Sequence, residues 1–154
     1  MYYAKRGVTS VCPTTMTLPE SELTSILEAI EKLKGSESGA FIHGINMEGP
    51  YISYEKRGAQ NPDYIRPADV SEFERLNAVS KILLVDLAPE TEGALPFAHE
   101  VCKNAVCSVA HTSATFEQAE KGFENGFTHA THLFNAMTAF ESRKPGVVGA
   151  VFAS

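Results

Sequence analysis

Short apolar runs alternate with amphipathic ones along the 154-residue chain. Residues 7–12 (GVTSVC) are predicted to form a strand. Residues 17–34 read as a helix, because Leu23, Ile26, Leu27, Ile30 and Leu33 recur at helical spacing. Thr17 and Glu20 offer a T-x-x-E capping box, Pro19 falls in the first turn, and Gly35 supplies the stop. Residues 40–47 (AFIHGINM) form the next strand. A loop rich in Gly, Pro, Asn and charge follows over residues 49–66, and loops of that length in compact domains are often functional. The pattern continues with a helix over 67–80, a strand over 81–87 (KILLVDL), a helix over 90–102 and a strand over 104–110. Thr115 and Gln118 cap a helix over 115–125 that ends at Gly126. A strand over 127–131 and a polar loop over 135–146 follow, and the apolar stretch 147–153 is too short to assign.

Five strands separated by four helices imply a parallel α/β sheet. A doubly wound sheet and a (β/α) barrel both fit that alternation. A closed (β/α)8 barrel needs roughly 200 residues or more, so as a barrel this chain holds about five of eight units. One barrel-type domain over residues 1–154 is the expected organisation. An open barrel exposes strand edges and so favours association.

Thirteen Lys and Arg stand against 19 Asp and Glu, a formal net charge of −6. An acidic chain without a clustered basic stretch is a poor nucleic-acid partner. No apolar run approaches the length of a transmembrane helix, and the first six residues lack a signal-peptide layout. Three cysteines, without C-x-x-C spacing, argue against a disulfide framework and for a reducing compartment such as the cytoplasm.

Three ionisable residues share one placement. Glu48, His111 and His132 each follow a predicted strand, at the C-terminal end where parallel α/β architectures bind ligands. Two imidazoles and a carboxylate suit zinc, iron(II) or manganese(II). Such a metal acidifies coordinated water and polarises carbonyl groups. Strand parity puts Asn46 inward with Glu48, where it is a candidate to orient a ligand. The same parity turns His43 and His129 to the opposite, helix-packed face as structural residues. His99 reads as a helix-surface residue. The loop 56–62 and the segment from Asn135 through Gly146 offer polar groups for a ligand. Arg143 is suited to clamp a phosphate or carboxylate. Cys102 and Cys107 fall in apolar patterns and read as packing residues.

Several blocks occur in one register: Met47-Glu48-Gly49-Pro50-Tyr51, Leu87-Ala88-Pro89-Glu90, Ala110-His111-Thr112 and Thr131-His132-Leu133-Phe134-Asn135-Ala136-Met137. With Arg143-Lys144-Pro145-Gly146 and Gly149-Ala150, they closely resemble the N-acetylglucosamine-6-phosphate deacetylases of the amidohydrolase superfamily. That resemblance implies a partial (β/α)8 TIM barrel covering about the second to sixth strands. It implies metal ligation by Glu48, His111 and His132, and substrate contacts from the Ala59 backbone, Gln60, Asn135, Ala136 and Arg143. Gln60 and Asn46 depart from the family pattern, which commonly has histidine at both positions.

The resemblance further implies hydrolysis of N-acetylglucosamine 6-phosphate to acetate and glucosamine 6-phosphate, with one divalent metal and a homo-oligomeric intact enzyme. The proton-transfer Asp of the family falls on the eighth strand, beyond Ser154. No catalytic acid or base is therefore assigned within this chain, which reads as an internal fragment expected to lack turnover by itself. Two alternatives stand beside this reading. One is a non-catalytic metal- or sugar-phosphate-binding unit; the other is an amidohydrolase acting on a cyclic amide.

Overall fold

The computed structural model describes residues 2–154. Six strands appear: β1 (Ser10–Val11), β2 (Phe41–Ile42), β3 (Ile45–Glu48), β4 (Ile82–Leu87), β5 (Val106–Val109) and β6 (Phe127–Ala130). Five α-helices accompany them: α1 (Glu20–Glu31), α2 (Val70–Val79), α3 (Ala94–Val101), α4 (Phe116–Glu124) and α5 (Gly146–Ala153). All strand pairs are parallel, with β1 beside β2 and a second sheet in the order β3-β4-β5-β6.

The two sheets are stitched together. His43 N–H donates to Val11 O, Asn46 N–H to Pro13 O, and Thr15 N–H to Asn46 O, each at 3.0 Å. The backbone of residues 9–15 therefore runs along residues 41–46 as one irregular strand pair. The expected strand over 40–47 breaks at His43-Gly44, where the Leu83 side chain occupies the space that a Cβ on Gly44 would need. The break leaves His43 exposed, not packed under helices as strand parity predicted.

Two register irregularities set which side chains face inward. Ile45 pairs with Ile82 but Asn46 pairs with Leu84, and Cys107 pairs with Phe127 but Ser108 with His129. Each skips one residue, and one skipped residue exchanges the two faces of a strand. Ile45, Met47, Val85, Leu87, Cys107, Val109 and Phe127 are buried in the core beneath the helices. Asn46, Glu48, Asp86, Ser108 and His129 share the opposite, interior face. The second irregularity corrects the reading of His129. Its Nδ1 lies 2.9 Å from Ser108 Oγ on that interior side, and the residue is exposed.

Helix boundaries differ from the pattern where local hydrogen bonds compete. Thr17 does not cap α1; its N–H is held by the Gln60 side chain at 2.6 Å, and Pro19 precedes the helix without a side-chain cap. α3 starts at Ala94 after Gly93, not at Glu90, whose carboxylate is taken by the loop after β5. The Thr115–Gln118 capping box forms as expected. The unassigned apolar stretch becomes α5, whose first five residues are buried. Among the described residues no helix is long and apolar enough to cross a membrane.

Candidate metal centre

Glu48 ends β3, His111 lies just past β5 and His132 just past β6. Glu48 Oε1 is 2.8 Å from His111 Nε2 and 3.9 Å from His132 Nε2, and the two Nε2 atoms are 3.2 Å apart. One ligand atom from each residue fits within a 4.8 Å cluster. His111 is buried, Glu48 is half-buried and His132 is open to solvent. The cluster therefore has a protected floor and an accessible side.

Backbone geometry aims both imidazoles. His111 Nδ1 is 2.8 Å from Lys56 O, and His132 Nδ1 is 3.0 Å from Asn135 O. A carbonyl accepts only, so each Nδ1 carries a proton, and whenever the ring is neutral its Nε2 presents a lone pair. With both rings neutral, two lone pairs and a carboxylate oxygen converge on one point, an arrangement relieved by a proton or a metal cation among them. The donor set thus fits a divalent metal. His111 and His132 also hold φ of 44° and 37°. Such left-handed backbone costs energy for non-glycine residues and tends to be kept where geometry is functional.

The charges are mutually tuned. When His111 is doubly protonated its Nε2 donates to Glu48, and that hydrogen bond outweighs burial and holds Glu48 below the ordinary carboxylate range. Burial opposes the charged form of His111, yet Glu48 and the Lys56 carbonyl carry its pKa above the ordinary value.

Gln60 is buried, and its amide is divided between two tasks. Its Oε1 accepts from Thr17 N–H at 2.6 Å, and its Nε2 donates to Glu48 Oε1 at 3.3 Å. Ala59 beside it is exposed. Asn135 folds back on its own turn, donating from Nδ2 to His132 O at 3.2 Å. Ala136, at φ 49°, accepts from Thr112 N–H and so joins the loops after β5 and β6. Arg143 is exposed and lines a cavity of about 600 Å3 together with Lys56, Lys144 and the start of α4. Lys56 connects that cavity to the cluster, since its carbonyl orients His111.

Sequence reasoning missed the carboxylates of Asp86 and Glu90. Asp86 is buried on the interior face, accepting from Thr131 Oγ1 and from Asn46 Nδ2. Burial raises its pKa against the pull of those hydrogen bonds. An acidic residue inside the otherwise apolar run KILLVDL was the available signal.

Strand-end histidines and a carboxylate clustered at the ends of parallel strands mark a segment of a (β/α) barrel with a candidate metal centre. No family model matches the chain. Individual proteins do: along nearly its whole length the chain is similar to one segment of N-acetylglucosamine- and N-acetylgalactosamine-6-phosphate deacetylases. It is 39% identical over 152 residues to the Danio rerio N-acetylglucosamine-6-phosphate deacetylase, covering 94% of this chain and 37% of that protein. An Escherichia coli N-acetylgalactosamine-6-phosphate deacetylase is 36% identical over 154 residues, covering 97% and 41%. Among solved structures, a mutant N-acetyl-D-glucosamine-6-phosphate deacetylase from Mycobacterium smegmatis, in complex with N-acetyl-D-glucosamine-6-phosphate, superposes with a TM-score of 0.88. It is 30% identical, and the match covers 95% of this chain and 38% of that one. The chain thus spans about two fifths of the length of these relatives.

Proposed function

We propose that this chain is the metal-holding part of a hydrolase that removes the acetyl group from N-acetylglucosamine 6-phosphate, giving acetate and glucosamine 6-phosphate. The observation that carries the reading is the convergence of Glu48 Oε1, His111 Nε2 and His132 Nε2, with both Nδ1 atoms already committed to backbone carbonyls. Glu48, His111 and His132 would hold one zinc, iron(II) or manganese(II) ion. When bound, such an ion polarises an amide carbonyl and makes hydroxide available near neutral pH.

The chain's own groups do the positioning. Gln60 fixes the Glu48 carboxylate, and the Lys56 and Asn135 carbonyls fix the imidazoles. Arg143 is proposed to hold the sugar phosphate, supported by its place with Lys56 and Lys144 around the adjoining cavity. The Ala59 backbone, Asn135 and Ala136 are proposed as further sugar contacts. Anchoring a phosphate remote from the amide spends binding energy on orientation of the reacting group. No free carboxylate in the cluster is left to shuttle the proton to the leaving amine. That role is proposed for an Asp of the longer relatives' eighth strand.

The test is elemental analysis of the purified chain together with acetate release from N-acetylglucosamine 6-phosphate and its galactosamine epimer. Near-stoichiometric metal without acetate release is expected for the chain, and release from the glucosamine substrate is expected for the longer protein. Release from only the galactosamine epimer would move the substrate assignment. Absence of metal from both proteins would overturn the ligand assignment.

A further inference from the structure

β4 donates no member of the Glu48–His111–His132 cluster, yet it lies between strands that do. Its carboxylate Asp86 reaches both ways across the interior. Oδ2 accepts from Asn46 Nδ2 at 3.0 Å, two residues before Glu48. Oδ1 accepts from Thr131 Oγ1 at 2.5 Å, one residue before His132. Ser108 of β5 closes the span, with its Oγ 2.7 Å from Thr131 Oγ1. Just past β4, Glu90 grips the third ligand's loop. It accepts from Ser113 N–H at 2.6 Å and Thr112 Oγ1 at 2.5 Å, the two residues after His111.

Each ligand therefore sits within two residues of a group tied to one of these carboxylates. The restraint has work to do, because both histidines occupy left-handed backbone that would relax if released. Asp86 is fully buried, so the hydrogen bonds it accepts are not replaced by water.

We propose that Asp86 and Glu90 are positioning residues that hold the backbone on which the three ligands ride, and that Asp86 does so through hydrogen bonds and not through charge. The proposal rests on the metal-site reading above. Its geometry supplies its own control. In Asp86→Asn, Oδ1 still accepts from Thr131. The new Nδ2 donates to Asn46 Oδ1, a buried acceptor that has no partner in the native chain, once the Asn46 amide turns over. Asp86→Ala keeps neither bond.

Two readouts on the 154-residue chain separate the possibilities. The first is the pair of Nδ1–H signals of His111 and His132 in the metal-free protein by 15N NMR. The second is zinc affinity by competition with a chromophoric chelator. Asp86→Asn is expected to keep both imidazole signals and the native zinc affinity. Asp86→Ala is expected to lose the His132 signal and weaken zinc about 10–100-fold, the usual effect of removing a partner behind a ligand. Glu90→Ala is expected to lose the His111 signal instead. Should Asp86→Ala not fold, Thr131→Val removes only the β6 arm and is expected to lose the His132 signal alone. Native signals and affinity in Asp86→Ala or Thr131→Val would overturn the proposal. Equal damage from Asp86→Asn and Asp86→Ala would overturn the hydrogen-bond mechanism in favour of charge. Zinc binding by neither the native chain nor the longer protein would overturn the metal reading, while the imidazole signals still decide whether Asp86 and Glu90 position the histidines.

Discussion

Glu72→Ala tests how the loop beside the metal cluster is anchored. Glu72, on α2, is 4% exposed. Its carboxylate takes Arg66 Nε at 3.0 Å, pairs with the second guanidinium nitrogen, and accepts from Tyr51 Oη at 3.0 Å. Arg66 in turn donates to Leu18 O at 3.0 Å and Tyr64 O at 2.8 Å. Removing one member of a buried ion pair costs about 3–5 kcal/mol, because the other charge stays behind. The Arg66 side chain keeps 26% exposure, so the lower end, about 3 kcal/mol, applies. For a domain of this size that is a fall in Tm of about 6–12 °C. Urea unfolding followed by circular dichroism gives the change in midpoint, and the slope shows whether the transition stays two-state. Glu72→Gln keeps an acceptor for Tyr51 and for one guanidinium nitrogen, so it should cost roughly half as much. A Glu72→Leu/Arg66→Met double variant should cost less than the two single changes together. A loss under about 1 kcal/mol for Glu72→Ala would refute the reasoning, since that is the value of a solvent-screened pair.

His132→Ala should abolish stoichiometric divalent metal in the longer protein; unchanged metal content by elemental analysis would remove His132 from the ligand set. In the metal-free chain, the Glu48 contribution to stability is present above its ordinary value of 4.5 and is lost as pH falls through the lowered one. The His111 contribution is complete below its ordinary 6.5 and is lost as pH rises through the raised one. Denaturation across pH should therefore show the pair stabilising most between those two values, and His111→Asn should flatten the alkaline limb. Gly49→Ala puts a Cβ at φ 75° against the Thr17 side chain, at a cost of at least about 1–2 kcal/mol by urea titration. Arg143→Met in the longer protein should lower kcat for the phosphosugar as well as raise KM, and a change in KM alone would show that the phosphate anchor does not orient the amide.

The strand–helix alternation was legible because side-chain periodicity reports burial directly. The cluster was legible for a related reason: in parallel α/β chains the residue after a strand lands on the ligand face, which placed Glu48, His111 and His132 without knowledge of any contact. His43 and His129 were misplaced because parity counting assumes an unbroken ladder. The kink at Gly44 and the residue skipped between Phe127 and His129 are set by neighbouring strands, not by local pattern. The failed cap at Thr17 has the same origin. Its donor is claimed by Gln60, 43 residues away, and propensity is blind to such competition. Asp86 and Glu90 looked like an oddity in a strand and a helix start. Their partners come from β3, β6 and the loop after β5, so only the assembled sheet reveals them.

Four non-glycine residues in the segments that follow β5 and β6 hold positive φ: His111, His132, Phe134 and Ala136. Glycine would relieve each of them. A population of variants selected only for resistance to heat or protease should therefore drift toward glycine or asparagine at these positions, gaining firmness while losing the two imidazoles at His111 and His132. At His111 and His132, selection for stability and selection for the proposed metal ligation would pull in opposite directions. A screen that scores both would map the ligand face by its conflict alone.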